Sequence, residues 1–179
     1  LHAKKVILGI SGSIAAYKTP LLVRALVKAG AEVQVVMTPS SKSFVAPLSL
    51  STVSNKAVYS EFVENEEELW NNHVDLGLWA DLILIAPASA NTLSKMAQAT
   101  CDNFLLAVYL SAKCPVYFAP AMDLDMHEHP ASGGFGTTDF AFVNLVTPAR
   151  AQRRLALRGV STDARSPRVM DEEFLNDFV

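Results

Sequence analysis

Residues 6–18 read VILGISGSIAAYK, an order that could hold an anion. A buried strand, Lys5–Ile10, runs into the small-residue turn Ser11, Gly12, Ser13, and a helix is expected to start at Ile14. The first amides of a helix have no intrahelical acceptor, and the helix dipole places partial positive charge beside them. Gly9 and Gly12 let the backbone come close to a ligand, while Ser11 and Ser13 add hydroxyl donors. No Gly-Lys-Ser/Thr follows, so this is not a Walker loop. It also departs from Gly-x-Gly-x-x-Gly, because Gly9, Gly12 and Ala15 only approximate that pattern and no acidic ribose partner is evident. The stretch suits one phosphate, as of a mononucleotide, better than a dinucleotide. An ordinary tight strand–helix turn would carry the same residues.

Three later stretches also sit at the carboxyl end of an expected strand, where ligands bind in open α/β sheets. Thr38-Pro39-Ser40-Ser41 follows the strand Glu32–Met37. Ser40 or Ser41 would cap a helix over 42–54, with Phe44 on its first turn, placed either to close a pocket or to enter the core. Ala88-Ser89-Ala90-Asn91-Thr92 follows the apolar strand 82–86, which Pro87 ends, and leads into a helix over 92–99. Pro120-Ala121-Met122-Asp123-Leu124-Asp125-Met126 follows a strand over 115–119. Two amide-presenting loops in one small domain are far less expected by chance than one. His73 adds an imidazole, the side chain suited to proton transfer near neutral pH. By position alone it reads more simply as a polar residue at a helix end.

The elements that must position these residues follow from periodicity. Leu21, Leu22, Ala25, Leu26 and Ala29 fall at helical spacing over 15–29, with Lys18, Arg24 and Lys28 on the wetter side and Gly30 as the stop. Strand, helix and strand in so short a span favour a right-handed parallel crossover. Tyr59 and Phe62 are placed to pack, and Glu64, Glu66, Glu67 and Glu68 read as an acidic loop or helix start. A helix is expected over 102–112 and a last strand over 142–146. Beyond Pro148 the chain turns basic and irregular, with a short acidic helix over 170–179. The 179 residues read as one domain.

Half of the chain is hydrophobic, enough for a sizeable core. The net charge is −3 and no basic stripe precedes the C-terminal part, so nucleic-acid binding has little support. Cys101 and Cys114 lack metal-ligand spacing and read as reduced thiols of a cytoplasmic protein. LHAKK runs straight into a strand, which leaves no room for a signal peptide, and the missing initiator Met suggests a trimmed N-terminus. Apolar runs are broken by Pro, Asp or Ser well short of a membrane span. Trp70, Trp79, Tyr109 and Phe104 fall in segments outside the expected sheet core and point to a buried subunit interface.

Taken together, GSIAAYK at 12–18, the histidine within NHVDLGLWAD at 72–81, PASANT at 87–92 and PAM at 120–122 resemble the homo-oligomeric flavin-containing cysteine decarboxylases. The resemblance covers residues 4–130. It implies an α/β, Rossmann-like or flavodoxin-like three-layer sandwich with a parallel sheet, bound FMN, and assembly as a trimer or a dodecamer. By the same resemblance, Gly12, Ser13 and Ile14 match the phosphate and flavin-edge turn. Thr38, Ser40 and Phe44 match a second flavin segment; Ser89, Ala90, Asn91 and Thr92 match a third; Ala121 matches a further contact. His73 matches the essential active-site histidine, and Asp123 and Met126 fall in the substrate loop.

The implied reaction turns phosphopantothenoylcysteine into phosphopantetheine in coenzyme A biosynthesis. A carboxylate on an sp³ carbon leaves with difficulty, because the carbanion has nowhere to go. Removal of a hydride equivalent from the carbon bearing the thiol gives a thioaldehyde, which accepts the electrons released with CO₂; the ene-thiol is then reduced again, with no net redox change. Three departures stand out. Asp123 replaces the family's Asn, exchanging a donor and acceptor for an ionised acceptor. The region 159–170 lacks the family's flap Cys, and only Arg168 and Met170 match the run that follows it. The synthetase half that follows in many relatives is not in this chain, which reads as a domain or an isolated decarboxylase. The alternatives are a peptidyl-cysteine decarboxylase, a non-catalytic flavoprotein subunit that binds a phosphatase, and, ranked lowest because it lacks the histidine segment, a prenylated-flavin synthase.

Overall fold

The computed structural model describes residues 2–64, 69–123 and 125–126. In chain order the elements are β1 (Lys5–Ile10), α1 (Thr19–Lys28), β2 (Glu32–Met37), α2 (Pro47–Ser54), β3 (Val63–Glu64), β4 (Leu69–Trp70), α3 (His73–Trp79), β5 (Leu82–Ala88), α4 (Ala90–Ala97), α5 (Phe104–Ser111) and β6 (Val116–Pro120). The main sheet has the order β2-β1-β5-β6 with every pairing parallel. β3 and β4 form a small antiparallel pair. Tyr59 lies beside β2 in a parallel bridge with Val36.

Strands KVILGI and EVQVVM are buried at five successive positions each, as expected where helices cover both faces of a parallel sheet. Alternation then divides the core in two. Val6, Leu8, Ile10, Val33, Val35 and Met37 pack with Val23 and Leu26 of α1 and Leu50 of α2. On the opposite face Ile7, Val36, Ile83 and Ile85 pack with Leu93 and Met96 of α4 and with Phe104, Leu105 and Leu106 of α5. The result is an α/β three-layer sandwich of the flavodoxin-like, Rossmann-like kind.

Several elements differ from the sequence expectation, and prolines account for most of them. The chain after Ser13 forms a 3-10 turn over Ile14–Lys18 and becomes α-helical only at Thr19, with Pro20 in the first turn. Proline lacks an N–H and is tolerated at a helix start but not further in, so α1 cannot begin at Ile14. Its buried face is Thr19, Val23 and Leu26, leaving Leu21 71% exposed. Pro47 likewise divides the expected helix 42–54 into a 3-10 turn, Pro39–Ser43, and α2. Ser40 and Ser41 therefore do not cap α2, whose preceding residue is Ala46. Phe44 ends the 3-10 turn and is part-exposed, outside the core.

Pro87 lies within β5 rather than ending it. The register with β6 shifts between Ile85 and Ala88, which accommodates a residue that cannot donate to the ladder. Glu64 ends β3, and Glu66, Glu67 and Glu68 lie outside the described residues. Phe104 is fully buried and belongs to the core, not to a subunit surface. The expected strand 142–146, the segment 159–170 and the helix 170–179 lie outside the described residues.

α3 and α5 carry the chain back toward the amino edge of the sheet before β5 and β6. Their first residues, His73 and Phe104, therefore lie on the carboxyl-edge side. The two helices meet closely at Gly77, where a Cβ would lie 2.9 Å from the Ser111 carbonyl carbon and 3.0 Å from its oxygen. Backbone atoms cannot step aside as a side-chain end can. Gly77→Ala is expected to lose about 1–3 kcal/mol to overpacking, more than the roughly 1 kcal/mol that Ala gains over Gly in a helix. A lowered urea midpoint at unchanged slope checks this; an unchanged or raised midpoint contradicts it.

Candidate functional site

Hydrogen bonds stitch the four turns at the carboxyl edge to one another. The Thr38 amide donates to the Ile10 carbonyl at 2.9 Å, and the Ala121 amide to the Ala88 carbonyl at 2.9 Å. Between them, β1 and β5 are neighbours from which the chain continues in opposite directions across the sheet, a topological switch point. Ser11 closes this point. Its amide and its hydroxyl both donate to the Pro87 carbonyl, at 3.1 and 2.7 Å. Its Oγ also accepts from the Ser89 amide at 2.8 Å. Ser11 is fully buried, so it is a joint between two loops and not the free ligand donor that the sequence suggested.

The residues expected to bind a cofactor gather around that joint. A Cβ on Gly12 would lie 2.5 Å from Ser40 Oγ and 2.8 Å from Ser40 Cβ, so the turns after β1 and β2 touch where only glycine fits. Thr38 is buried, with Oγ1 3.1 Å from the Oγ of exposed Ser40. Ser13 is extended, half-buried, and makes no side-chain capping bond. Ile14 is 76% exposed and Phe44 43% exposed. Ser89 caps α4, accepting from the Thr92 amide at 3.3 Å, and its hydroxyl donates to Thr92 Oγ1 at 3.2 Å. Thr92 is buried, Ala90 half-buried and Asn91 exposed. Ala121 is half-buried at the start of the last turn, with Asp123 and Met126 exposed beyond it.

The anion argument moves with the true helix start. A single 3-10 turn sums few peptide dipoles, so the turn at Ser13 is a weak anion site. The start of α4, an α-helix of eight residues beside the switch point, is the stronger one. Hydroxyls of Ser13 and Ser40, the first amides of α4 and the exposed apolar side chains Ile14 and Phe44 together fit a mononucleotide. The polar turns match a phosphate and a sugar chain, and the apolar groups match a planar ring.

His73 is placed differently. It is the first residue of α3, whose cap is Asn72. Asn72 Oδ1 accepts from the Val74 and Asp75 amides at 3.1 and 3.3 Å, and its Nδ2 donates to Asp75 Oδ2 at 2.7 Å. The imidazole stands edge-to-face with Phe62 at 5.8 Å and with Trp70 at 6.3 Å. Phe62 stacks on Trp70 at 5.8 Å and meets Phe104 edge-on at 5.4 Å. His73 Nδ1 is buried without a hydrogen-bond partner among the described residues. Among the described residues no hydrogen bond or ring contact joins His73 to the four turns; the topology puts them at one edge. Phe62 and Trp70 as its neighbours were not foreseen, because the only signal was their aromatic type near a histidine.

The remaining reactive groups offer little. Burial, and secondarily the Asp81 charge, pushes the Cys114 thiol up, the opposite of an activated nucleophile. Among the described residues no group of three His, Cys, Asp or Glu could hold a metal ion, and no helix is long and apolar enough to cross a membrane.

A parallel α/β sandwich whose turns gather at the carboxyl edge of the sheet defines a protein of the flavodoxin-like class. The chain belongs to the Flavoprotein family, whose model matches residues 1–133. It is 43% identical over 129 residues, 72% of this chain and 36% of the relative, to a cysteine/cysteine sulfinic acid decarboxylase from an unknown prokaryotic organism. It is 42% identical over 131 residues, 73% of this chain and 32% of the relative, to the coenzyme A biosynthesis bifunctional protein CoaBC of Bacillus subtilis. The chain thus spans about a third of the length of these curated relatives. Among solved structures it is similar to a PPC decarboxylase mutant complexed with pantothenoylaminoethenethiol, with a TM-score of 0.66 and 30% identity, covering 89% of this chain and 100% of that one.

Two outcomes are expected from this geometry. Ser11→Ala leaves the part-buried Ser89 amide without its acceptor and is expected to lose about 1–3 kcal/mol in chemical denaturation; an unchanged stability would contradict the role of Ser11 as a joint. Because the Cys114 thiol is raised, less of it is thiolate at a given pH. Iodoacetamide at mildly alkaline pH should modify exposed Cys101 before Cys114, and the Cys114 rate should keep climbing above the ordinary thiol range. Peptide mass spectrometry reads both; faster modification of Cys114 would count against it.

Proposed function

We propose that this chain is an FMN-binding decarboxylase domain that converts phosphopantothenoylcysteine to phosphopantetheine and CO₂ in coenzyme A biosynthesis. The observation that carries the reading is the convergence of Gly12, Ser13, Ser40 and the capped start of α4 around the Ser11 joint, with Ile14 and Phe44 exposed beside them. The names of its relatives support the substrate class. Gly12, Ser13, Ser40, Ser89 and Asn91 would hold the phosphate and ribityl chain. Ile14, Phe44, Ala90 and Ala121 would flank the ring, while Thr38 and Thr92 fix the hydroxyls they bond. The chemistry that bound FMN supplies is reversible acceptance of a hydride equivalent. His73 would hold the cysteinyl end of the substrate on the same edge. Asp123, exposed, would accept from a substrate amide N–H; Met126 would pack on the acyl chain.

We further propose a single domain over 1–179 that assembles as a homo-oligomer, trimer or dodecamer. The exposed apolar side chains Tyr17, Leu21 and Leu48 support this reading. In a longer protein a synthetase domain would follow, as the bifunctional relative suggests, and two free thiols suit a cytoplasmic setting. A second reading, decarboxylation of free cysteine, is favoured by the relative at 43% identity.

Anaerobic turnover of phosphopantothenoylcysteine, followed by CO₂ release with the flavin spectrum recorded, tests both. Wild type is expected to bind FMN and release CO₂, and His73→Asn to keep FMN while losing about 10²–10⁴-fold in rate. Flavin without turnover would redirect the assignment to a cysteine or peptide substrate, or to a non-catalytic regulatory subunit. A colourless protein would overturn it.

A further inference from the structure

We propose that the cavity between α3 and the edge strand β2 binds a small organic cation, an alkyl ammonium or guanidinium, held by the Asp75 carboxylate, the Gln34 side-chain carbonyl and the Trp70 ring. None of the residues lining it belongs to the four turns, and the site is separate from the function proposed above.

The cavity has a volume of about 350 Å³, at the small end of ligand sites. α3 runs along it, from its cap Asn72 through Asp75 to Trp79 in the last turn, and Gln34 of β2 lines it too. Gln34 is 7% exposed, in a strand otherwise apolar from Val33 to Met37. Its Nε2 donates to the Ala57 carbonyl at 2.6 Å and to the Val35 carbonyl at 3.3 Å. Turning the amide over would set oxygen against oxygen twice, so its orientation is fixed. Oε1 can only accept, and among the described residues no hydrogen bond reaches it. Nor is it sealed from solvent, because the buried side-chain atom without a partner among the described residues is His73 Nδ1. Its open side is the cavity.

The rest of the lining is spent in the same sense. Asn71 Nδ2 donates to the Glu61 carbonyl at 2.9 Å and Asn72 Nδ2 to Asp75 Oδ2 at 2.7 Å. The amide donors are used within the protein, and Gln34 Oε1, Asn71 Oδ1 and Asp75 Oδ1 remain as acceptors. Asp75 enters no ion pair among the described residues. A ligand here must donate, and a carboxylate beside an indole selects a cation.

At the other end of the cavity the protein meets the same pair of groups with its own side chain. Lys56 Nζ lies 4.6 Å from the Trp79 ring centroid and 2.6 Å from Glu32 Oε1. Lys5 Nζ adds a second cation 5.7 Å from Trp79, and Asp81 accepts from the Lys5 amide. Glu32 and Asp81 balance these two lysines, which leaves Asp75 as the unmatched charge. At the start of α3, Asp75 and Trp70, 61% exposed, repeat the pairing of carboxylate and indole with no cation of the described chain between them.

Calorimetric titration of the full chain compares hexylammonium with hexanol and hexanoate, which share its stem. Hexylammonium is expected to bind about tenfold or more tighter than either. Asp75→Asn, which keeps an oxygen for Asn72 and removes the charge, is expected to abolish that preference, and Gln34→Leu to weaken hexylammonium about tenfold. No preference among the probes overturns the proposal, as does a preference that survives Asp75→Asn. Asp123→Asn is expected to leave binding unchanged; a loss there would move the cation to the proposed substrate loop and overturn the assignment. Failure of every probe to bind would mean that another copy covers the cavity, and overturns it as well. If Gln34→Leu fails to fold, Asp75→Asn still decides.

Trp70 also meets the His73 ring, so saturating hexylammonium should shift the His73 ring proton resonances, assigned through His73→Gln. Resonances that stay in place put the cation elsewhere. None of these readouts requires turnover, so they stand or fall apart from the decarboxylase reading.

Discussion

One buried hydroxyl holds the working edge of this fold together. Two neighbouring parallel strands whose chains continue in opposite directions leave a crevice between their turns, and nothing in the ladder itself closes it. Ser11 does so by donating to the Pro87 carbonyl and accepting from the Ser89 amide. The Ser89 side chain is then free to cap α4 and to bond Thr92, so the geometry of the α4 start follows from a contact made by the first turn. The turn after β2 is fixed from the other side, through the Thr38 amide and the Gly12–Ser40 contact. A ligand arriving at this edge meets turns whose spacing is already set, which lowers the ordering cost of binding.

The strands and turns were legible in the sequence because their causes are local. A parallel strand buried on both faces needs an unbroken apolar run, and VILGI, VQVVM and LILIA supply it. The small-residue turns follow directly. Helix starts were read too early at Ile14 and too simply at residue 42, although Pro20 and Pro47 carried the information; a proline marks the first turn of a helix, not its middle. Leu21 fits an apolar stripe by spacing alone, but delaying α1 to Thr19 rotates the buried face onto Val23 and Leu26.

The contacts that decide the site's chemistry were not legible, because they join residues far apart in sequence. Ser11 looked like a ligand donor, as any hydroxyl in such a turn does, until Pro87 and Ser89 were seen to use it. His73 was singled out through the stretch it belongs to, but its ring environment depends on β3 and β4 pairing so that Phe62 and Trp70 stack. Phe104 looked available for a subunit surface, whereas its place at the start of α5 puts it behind Phe62 in the core.

The two halves of the edge are built by different forces. The turns are held by directional hydrogen bonds, several from buried groups, and each unmade bond there would cost about 1–3 kcal/mol. They have one geometry, which suits a group that must be held still. His73 Nδ1 has no hydrogen bond among the described residues, and the ring is set by aromatic contacts worth about 0.5–1.5 kcal/mol each. Such contacts fix an orientation while allowing small displacements, because their energy varies slowly with distance. The close approach at Gly77 then limits how far α3 can carry the histidine. In the function we propose, that difference would let the rigid cradle hold the cofactor while the histidine side follows the substrate.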